Sequence, residues 1–314
     1  MTGRGYAAMP IAWMAGLLAV CDPDPAAPDE QPSGWSTAAP LPTKRQEMPS
    51  AVIGRRIYTP GGFDEAGRAS TVVEVYDLDA GSWSAAPPLP EGRHHPGVAA
   101  LGGQLYVIGG YAASGAATTT VFAFDPGTQR WTTKRPMPSA RAAHVVVPLG
   151  NRIYAIGGVG PNGLVTATGI YDPAADTWTT GAPLPTAREH LAGAAIDDRI
   201  FVVGGRRPGN VPSLEAYRPA SDAWEALPDM PTSRGGLAAG ASNGRLYVFG
   251  GENPGVFPHT EEYDPAQRQW RRLADMPTPR HGMGAVTVGS AIHVIGGATL
   301  SGFGASAAHE IFRP

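Results

Sequence analysis

Tryptophan recurs along this chain at Trp35, Trp83, Trp131, Trp178, Trp224 and Trp270, and ten residues after each stands an arginine: Arg45, Arg93, Arg141, Arg188, Arg234 and Arg280. Three residues before each arginine is a proline (Pro42, Pro90, Pro138, Pro185, Pro231, Pro277), which fixes φ in the segment leading to it. Sixteen residues after each arginine a Gly-Gly pair begins, at Gly61, Gly109, Gly157, Gly204, Gly250 and Gly296, giving a period of 46 to 48 residues. Self-similarity of this length marks a chain of supersecondary units, each burying its apolar face only against its neighbours. The 314 residues are therefore one repetitive body rather than two unrelated domains.

The content of one period is β. Leu105-Tyr106-Val107-Ile108, Ile153-Tyr154-Ala155-Ile156 and Ile200-Phe201-Val202-Val203 are short β-prone runs, each closed by the glycine pair. Upstream lie runs of small residues such as Leu191-Ala192-Gly193-Ala194-Ala195, suited to an innermost strand crowded around a central axis. Downstream come Val73-Glu74-Val75-Tyr76-Asp77 and its equivalents, then a turn, then the tryptophan strand. Four strands per period result. The 42 Gly, 32 Pro and 16% charged residues, with 42% still apolar, agree with many short strands joined by turns and not with disorder.

These residues resemble the kelch family: a glycine doublet after the second strand, a tyrosine in the third and a tryptophan in the fourth. The resemblance spans residues 35 to 314 and implies an all-β, six-bladed β-propeller of four-stranded antiparallel blades. The sequence departs from the pattern at Thr59-Pro60, at His293 in the second strand of the last repeat, and at Phe124 and Phe312 in place of tyrosine. After Gly296-Gly297 a third strand is visible at His309-Glu310-Ile311-Phe312 but no tryptophan follows. Trp35 is thus expected to supply the outer strand of the last blade and close the ring.

Ahead of the propeller, assigned to 34–314, the sequence divides into 1–21 and 22–33. Arg4 and an apolar run from Tyr6 to Val20 lead to Cys21, the single cysteine. This is the layout of an export signal, too short for a membrane-spanning helix. Leu18-Ala19-Val20-Cys21 resembles the lipobox of bacterial lipoproteins, which implies lipidation at Cys21 and a Pro/Asp-rich tether after it; simple secretion and a cytosolic tail are the alternatives. The expectation is an exported monomer, either lipid-anchored to a membrane or secreted into a space such as the periplasm.

Nearly all length variation falls between the glycine pair and the third-strand aromatic. This loop shares a face with the proline-to-arginine crossing, because alternate connections of a meander lie on one side. Binding function in repeat proteins commonly sits on such a face. His94, His95, His144, His190 and His281 fall just after the repeated arginines, with Glu47 and Glu189 at similar positions. The candidate ligand-binding residues are therefore Glu47, Arg93, His94, His95, His144, Arg188, Glu189, His190 and His281, with 63–71 and 206–213 as rim loops. The six arginines, present in every repeat, are expected to serve the fold through bonds to a neighbouring blade.

Two functions compete. One is a non-catalytic module binding a protein, peptide or glycan. The other is a carbohydrate-active enzyme, since kelch propellers include sialic acid mutarotases, with Arg188, Glu189 and His190 as candidates for carboxylate recognition and acid/base work. Galactose-oxidase-type copper chemistry is not expected, because that family crosslinks a cysteine to a tyrosine and none lies in this propeller. A net charge of -3 without a Lys/Arg run offers no footprint for nucleic acid. No cofactor or metal is expected, since no fixed ligand spacing is present.

Overall fold

A computed structural model describes residues 1–3 and 34–314. Cys21, the apolar leader and the tether at 22–33 lie outside the described residues. The unit Ser33–Pro314 folds as six four-stranded antiparallel sheets. Blade 1 comprises Ala51–Ile53, Arg56–Pro60, Val73–Asp77 and Ser82–Ala85. Blades 2 to 5 repeat this order, with inner strands at Gly97–Leu101, Val145–Leu149, Ala192–Ile196 and Ala238–Ser242. In blade 6, Gly284–Val288, Ala291–Ile295 and His309–Arg313 are joined by Gly34–Thr37 from the other end of the chain. Trp35 pairs with Phe312 and Thr37 with Glu310, the closure expected from the unpaired tryptophan.

The core lies between blades. Tyr58, Val73 and Val75 of blade 1 pack against Val98, Leu105, Val107, Phe122 and Phe124 of blade 2, and similar clusters fill the other gaps. The repeated tryptophans and glycine pairs have tasks at these seams. All six indoles donate to a carbonyl of the preceding blade, as in Trp83 to Ala39 at 2.8 Å and Trp270 to Pro228 at 2.8 Å. The N–H of each second glycine donates to the carbonyl of the next blade's arginine, as in Gly62 to Arg93 at 2.8 Å and Gly297 to Arg45 at 2.9 Å. A Cβ on Gly250 would lie 2.2 Å from the Arg280 carbonyl oxygen, and its φ is +57°. The glycine pair is therefore required by close approach and by a left-handed backbone together.

The arginine side chains are buried in their own blades, not extended to the neighbouring one. Arg45 donates to the carbonyls of Thr59 and Gly61 and to Glu74 Oε2 at 2.6 Å. Arg234 bonds Glu261 at 2.9 Å and Arg280 bonds Glu310 at 2.5 Å. The carboxylates stand two residues before the third-strand aromatic in blades 1, 4, 5 and 6. In blade 2, Arg93 instead bonds Glu91 and lies 5.4 Å over the Phe122 ring. Arg141 has only carbonyls and Ser139, and burial without a carboxylate lowers its guanidinium to about 10.

Candidate functional site at the propeller axis

Two residues beyond each arginine the backbone turns left-handed in every blade. φ is 56° at Glu47, 53° at His95, 51° at Ala143 and 52° at His190, and 66° and 62° at Gly236 and Gly282. The N–H of each of these residues donates to the carbonyl of its counterpart one blade back: Glu47 to Gly282 (2.7 Å), His95 to Glu47 (3.0 Å), Ala143 to His95 (3.0 Å), His190 to Ala143 (2.9 Å), Gly236 to His190 (2.9 Å) and Gly282 to Gly236 (2.7 Å). Six bonds form a closed ring around the axis. Backbone groups that would otherwise be buried and unsatisfied are all paired by it. A cavity of about 80 Å³ lies at the ring, and the channel between the inner strands holds a larger one of about 310 Å³ lined by small residues such as Ala99, Gly193 and Ala239.

Three ring positions carry side chains with donor atoms, and the fold brings these together. His95 Nε2 lies 3.0 Å from His190 Nε2 and 3.3 Å from Glu47 Oε2. Between the two histidines stands blade 3, whose ring residue is Ala143, small enough to let them meet. His95 Nδ1 is 2.7 Å from His94 Nδ1, and His190 Nδ1 bonds Glu189. The His94 ring is sandwiched between Phe63 (centroids 3.8 Å, 21°) and Tyr111 (5.0 Å, 27°). Burial, aided by the positive charge of Arg206, holds His95 down to about 3. His190 is likewise held well below its ordinary value by burial and by His95, and burial raises Glu47. Both imidazoles are thus neutral at neutral pH.

The remaining candidates from the sequence fall elsewhere. Arg93 and Arg188 are buried within their blades, and Arg188 is bonded to Glu215, Val202 and Gly204, so neither guanidinium reaches the mouth. The trio Arg188, Glu189 and His190 is accordingly split, with only the last two facing the axis site. His144 is buried and lines the channel cavities beside the ring. His281 is 1% exposed, with Nε2 3.5 Å from Glu47 and 3.6 Å from Glu252, and neither ring nitrogen is hydrogen-bonded.

The sequence did not single out Tyr111 or Glu252. In every blade the residue after the arginine bridges to the residue after the glycine pair; in blades 2, 4 and 5 these bridges are His94 with Tyr111, Glu189 with Arg206, and Gly235 with Glu252. The signal was available as a fixed offset from the glycine pair. Glu252 bonds Arg206 and also accepts from Ser301 Oγ (2.8 Å) and Gly302 N (2.6 Å). Burial raises Glu252 but is outweighed by His281, the Gly302 N–H, Ser301 and Arg206, which lower it overall. Gln46 grips the same loop through Gly302 O and Gly304 N.

Residues 29–158 match the family model described as the KLHDC2/KLHL20/DRC7 Kelch-repeats domain, and 140–185, 187–231 and 233–277 each match the Kelch motif. The chain belongs to the kelch-repeat family. The solved structure of YjhT resembles this kelch propeller with a TM-score of 0.77 at 18% identity, over 88% of this chain and 97% of that one. At that identity the likeness concerns the fold. No curated protein matches the sequence.

Proposed function

We propose that this kelch propeller is a non-catalytic binding module that recognises a protein or peptide on the face carrying the loops between second and third strands. One observation carries this reading. Among the described residues of the propeller, the exposed large apolar side chains are Leu164, Leu300 and Phe303, and all three belong to such loops. The loop of blade 6 is tied to Glu252 of blade 5 and Gln46 of blade 1, so Leu300 and Phe303 are held in place before a partner arrives. Pre-ordered apolar anchors beside polar groups are what interface hot spots require. The 80 Å³ cavity at the ring is small against the roughly 300 Å³ or more of pockets that enclose a small molecule. The 310 Å³ channel cavity reaches that size but is lined by small, aliphatic and hydroxyl residues with no titratable side chain for acid/base work, which favours docking over a carbohydrate-active enzyme.

The test is selection of binders from a displayed peptide library on the full chain, followed by the variants Leu300→Ser with Phe303→Ser, and Leu164→Ser. A tenfold or greater loss of binding with unchanged melting supports the reading. Binders indifferent to all three substitutions sink it, and catalysed anomerisation of a free sialic acid, followed by NMR, would replace it with the mutarotase-like reading. The leader ending at Cys21 supports export, with lipid attachment at that residue. Palmitate incorporation into wild type and not into Cys21→Ser is the expected result; equal labelling of both removes the anchor from the proposal.

A further inference from the structure

We propose that Glu47, His95 and His190 form a mononuclear site for a first-row divalent metal ion of the zinc type on the propeller axis. The proposal stands apart from the docking reading above, since its ligand is the ion alone. Two imidazoles and a carboxylate are a recognised donor set for such ions, leaving further positions for water or a bound group. One donor atom from each of the three residues lies within 4.8 Å of the others. Two nitrogens each about 2.0–2.1 Å from one ion stand about 2.9–3.4 Å apart at angles between 90° and tetrahedral. The 3.0 Å between the two Nε2 atoms and the 3.3 Å from His95 Nε2 to Glu47 fall in that range; His190 and Glu47 stand farther apart, within 4.8 Å, so the Glu47 carboxylate must swing inward to complete the set.

The outer contacts fit the same purpose. A histidine that ligates through Nε2 usually has its Nδ1 held by a second group, which fixes ring orientation. Here His190 Nδ1 is held by Glu189 and His95 Nδ1 by His94, itself clamped between Phe63 and Tyr111. Without an ion, His95 Nε2–H donates to His190 Nε2 and accepts from His94 at Nδ1. With an ion, the His95 proton resides on Nδ1 and donates to His94, whose own proton resides on Nε2; no proton is gained or lost by these rings. Backbone conformation is a further, independent observation. A left-handed φ favours glycine, and the ring has glycine at 236 and 282 and alanine at 143, yet the other three positions carry donor side chains in spite of the strain.

Equilibrium dialysis of the metal-stripped full chain against Zn²⁺ at neutral pH tests the site. One ion per chain is expected, bound in the micromolar range or tighter. His95→Gly and His190→Gly, each matching the residue that blades 5 and 6 use at the same position, should weaken binding by about 100-fold or more. Glu189→Gln should weaken it by about 10–100-fold. His259→Gln, in blade 5 beside Arg272 and away from the ring, should change nothing. If the glycine variants fail to fold, the visible spectrum of Co²⁺ added to wild type decides: intense bands of a low-coordinate nitrogen and oxygen site support the proposal. Only the weak spectrum of the hydrated ion, absence of stoichiometric binding, or equal affinity in wild type and the glycine variants overturns it.

Discussion

The backbone N–H of Glu47 donates to the carbonyl of Gly282 at 2.7 Å, joining blade 1 to blade 6 at the seam where the first and last repeats meet. The same seam is closed from outside by Trp35, whose indole donates to Ala274 at 3.1 Å and whose rings pack on Phe249 and Phe312. Closure at both radii leaves no gap between the first and last blades, and the edges that remain are the short inner and outer strands of each four-stranded sheet.

Deleting 34–38 should therefore destabilise the whole ring, because blade 6 loses its outer strand and its contact with blade 5. Trp35→Ala, which keeps the strand, should cost about 2 kcal/mol, less than the 3–5 typical of a fully buried aromatic, since Trp35 is partly exposed. Urea denaturation followed by tryptophan fluorescence measures both, and unchanged stability on deletion would refute closure as a source of stability.

The arginines should behave as blade residues and not as ligand contacts. Arg234→Met leaves Glu261 buried without its partner, and removing one member of a buried ion pair costs about 3–5 kcal/mol. Arg234→Met with Glu261→Leu should recover most of that loss. Neither change should alter peptide or metal binding by the folded fraction; a stability-neutral Arg234→Met that abolishes binding would reverse the assignment.

Acid should weaken the fold through a second histidine pair. His309 donates Nδ1–H to the Ala39 carbonyl (3.2 Å), leaving Nε2 to accept from His293 Nδ1 at 2.8 Å. Burial holds His293 down to about 4 and His309, with His293 beside it, to about 3. A histidine whose folded value is depressed binds its proton first in the unfolded chain. Stability is therefore full above the unfolded value, about 6.5, and falls as pH drops below it toward the folded values. The slope is at most about 1.4 kcal/mol per pH unit for each histidine. His293→Tyr, which restores the aromatic found at this position in the other blades, should flatten denaturation midpoints measured between pH 7 and 5; an unchanged slope would assign the acid sensitivity to other groups.

Much of this was legible before folding because a repeat presents the same chemistry six times. The offset of ten residues from tryptophan to arginine and sixteen from arginine to glycine survives because tryptophan and glycine serve seam bonds that every blade must make, as with Trp83 on Ala39 and Gly62 on the Arg93 carbonyl, while the arginine side chain ties strands within its own blade, as with Arg45 on Thr59 and Gly61. The unpaired Trp35 told where the ends meet. The sequence also placed Glu47, His95 and His190 at equivalent positions on one face, although it marked no metal spacing, since the residues are 48 and 95 positions apart. It left the fate of Arg93 and Arg188 open between ligand and fold; the buried partner Glu215 sits at an offset from the third-strand aromatic that four repeats share, whereas the exposed partner Glu91 belongs to blade 2 alone.

Period and residue type alone thus determined the architecture, the blade number, the closure and the face on which irregular residues gather, because these depend on patterns that local chemistry repeats. Which irregular residues touch was decided only in three dimensions. His95 and His190 belong to blades 2 and 4 and meet because Ala143 between them is small and because the left-handed ring turns all three side chains toward one axis. Packing around an axis converts separations of dozens of residues into separations of about 3 Å, and no spacing rule along the chain encodes that conversion.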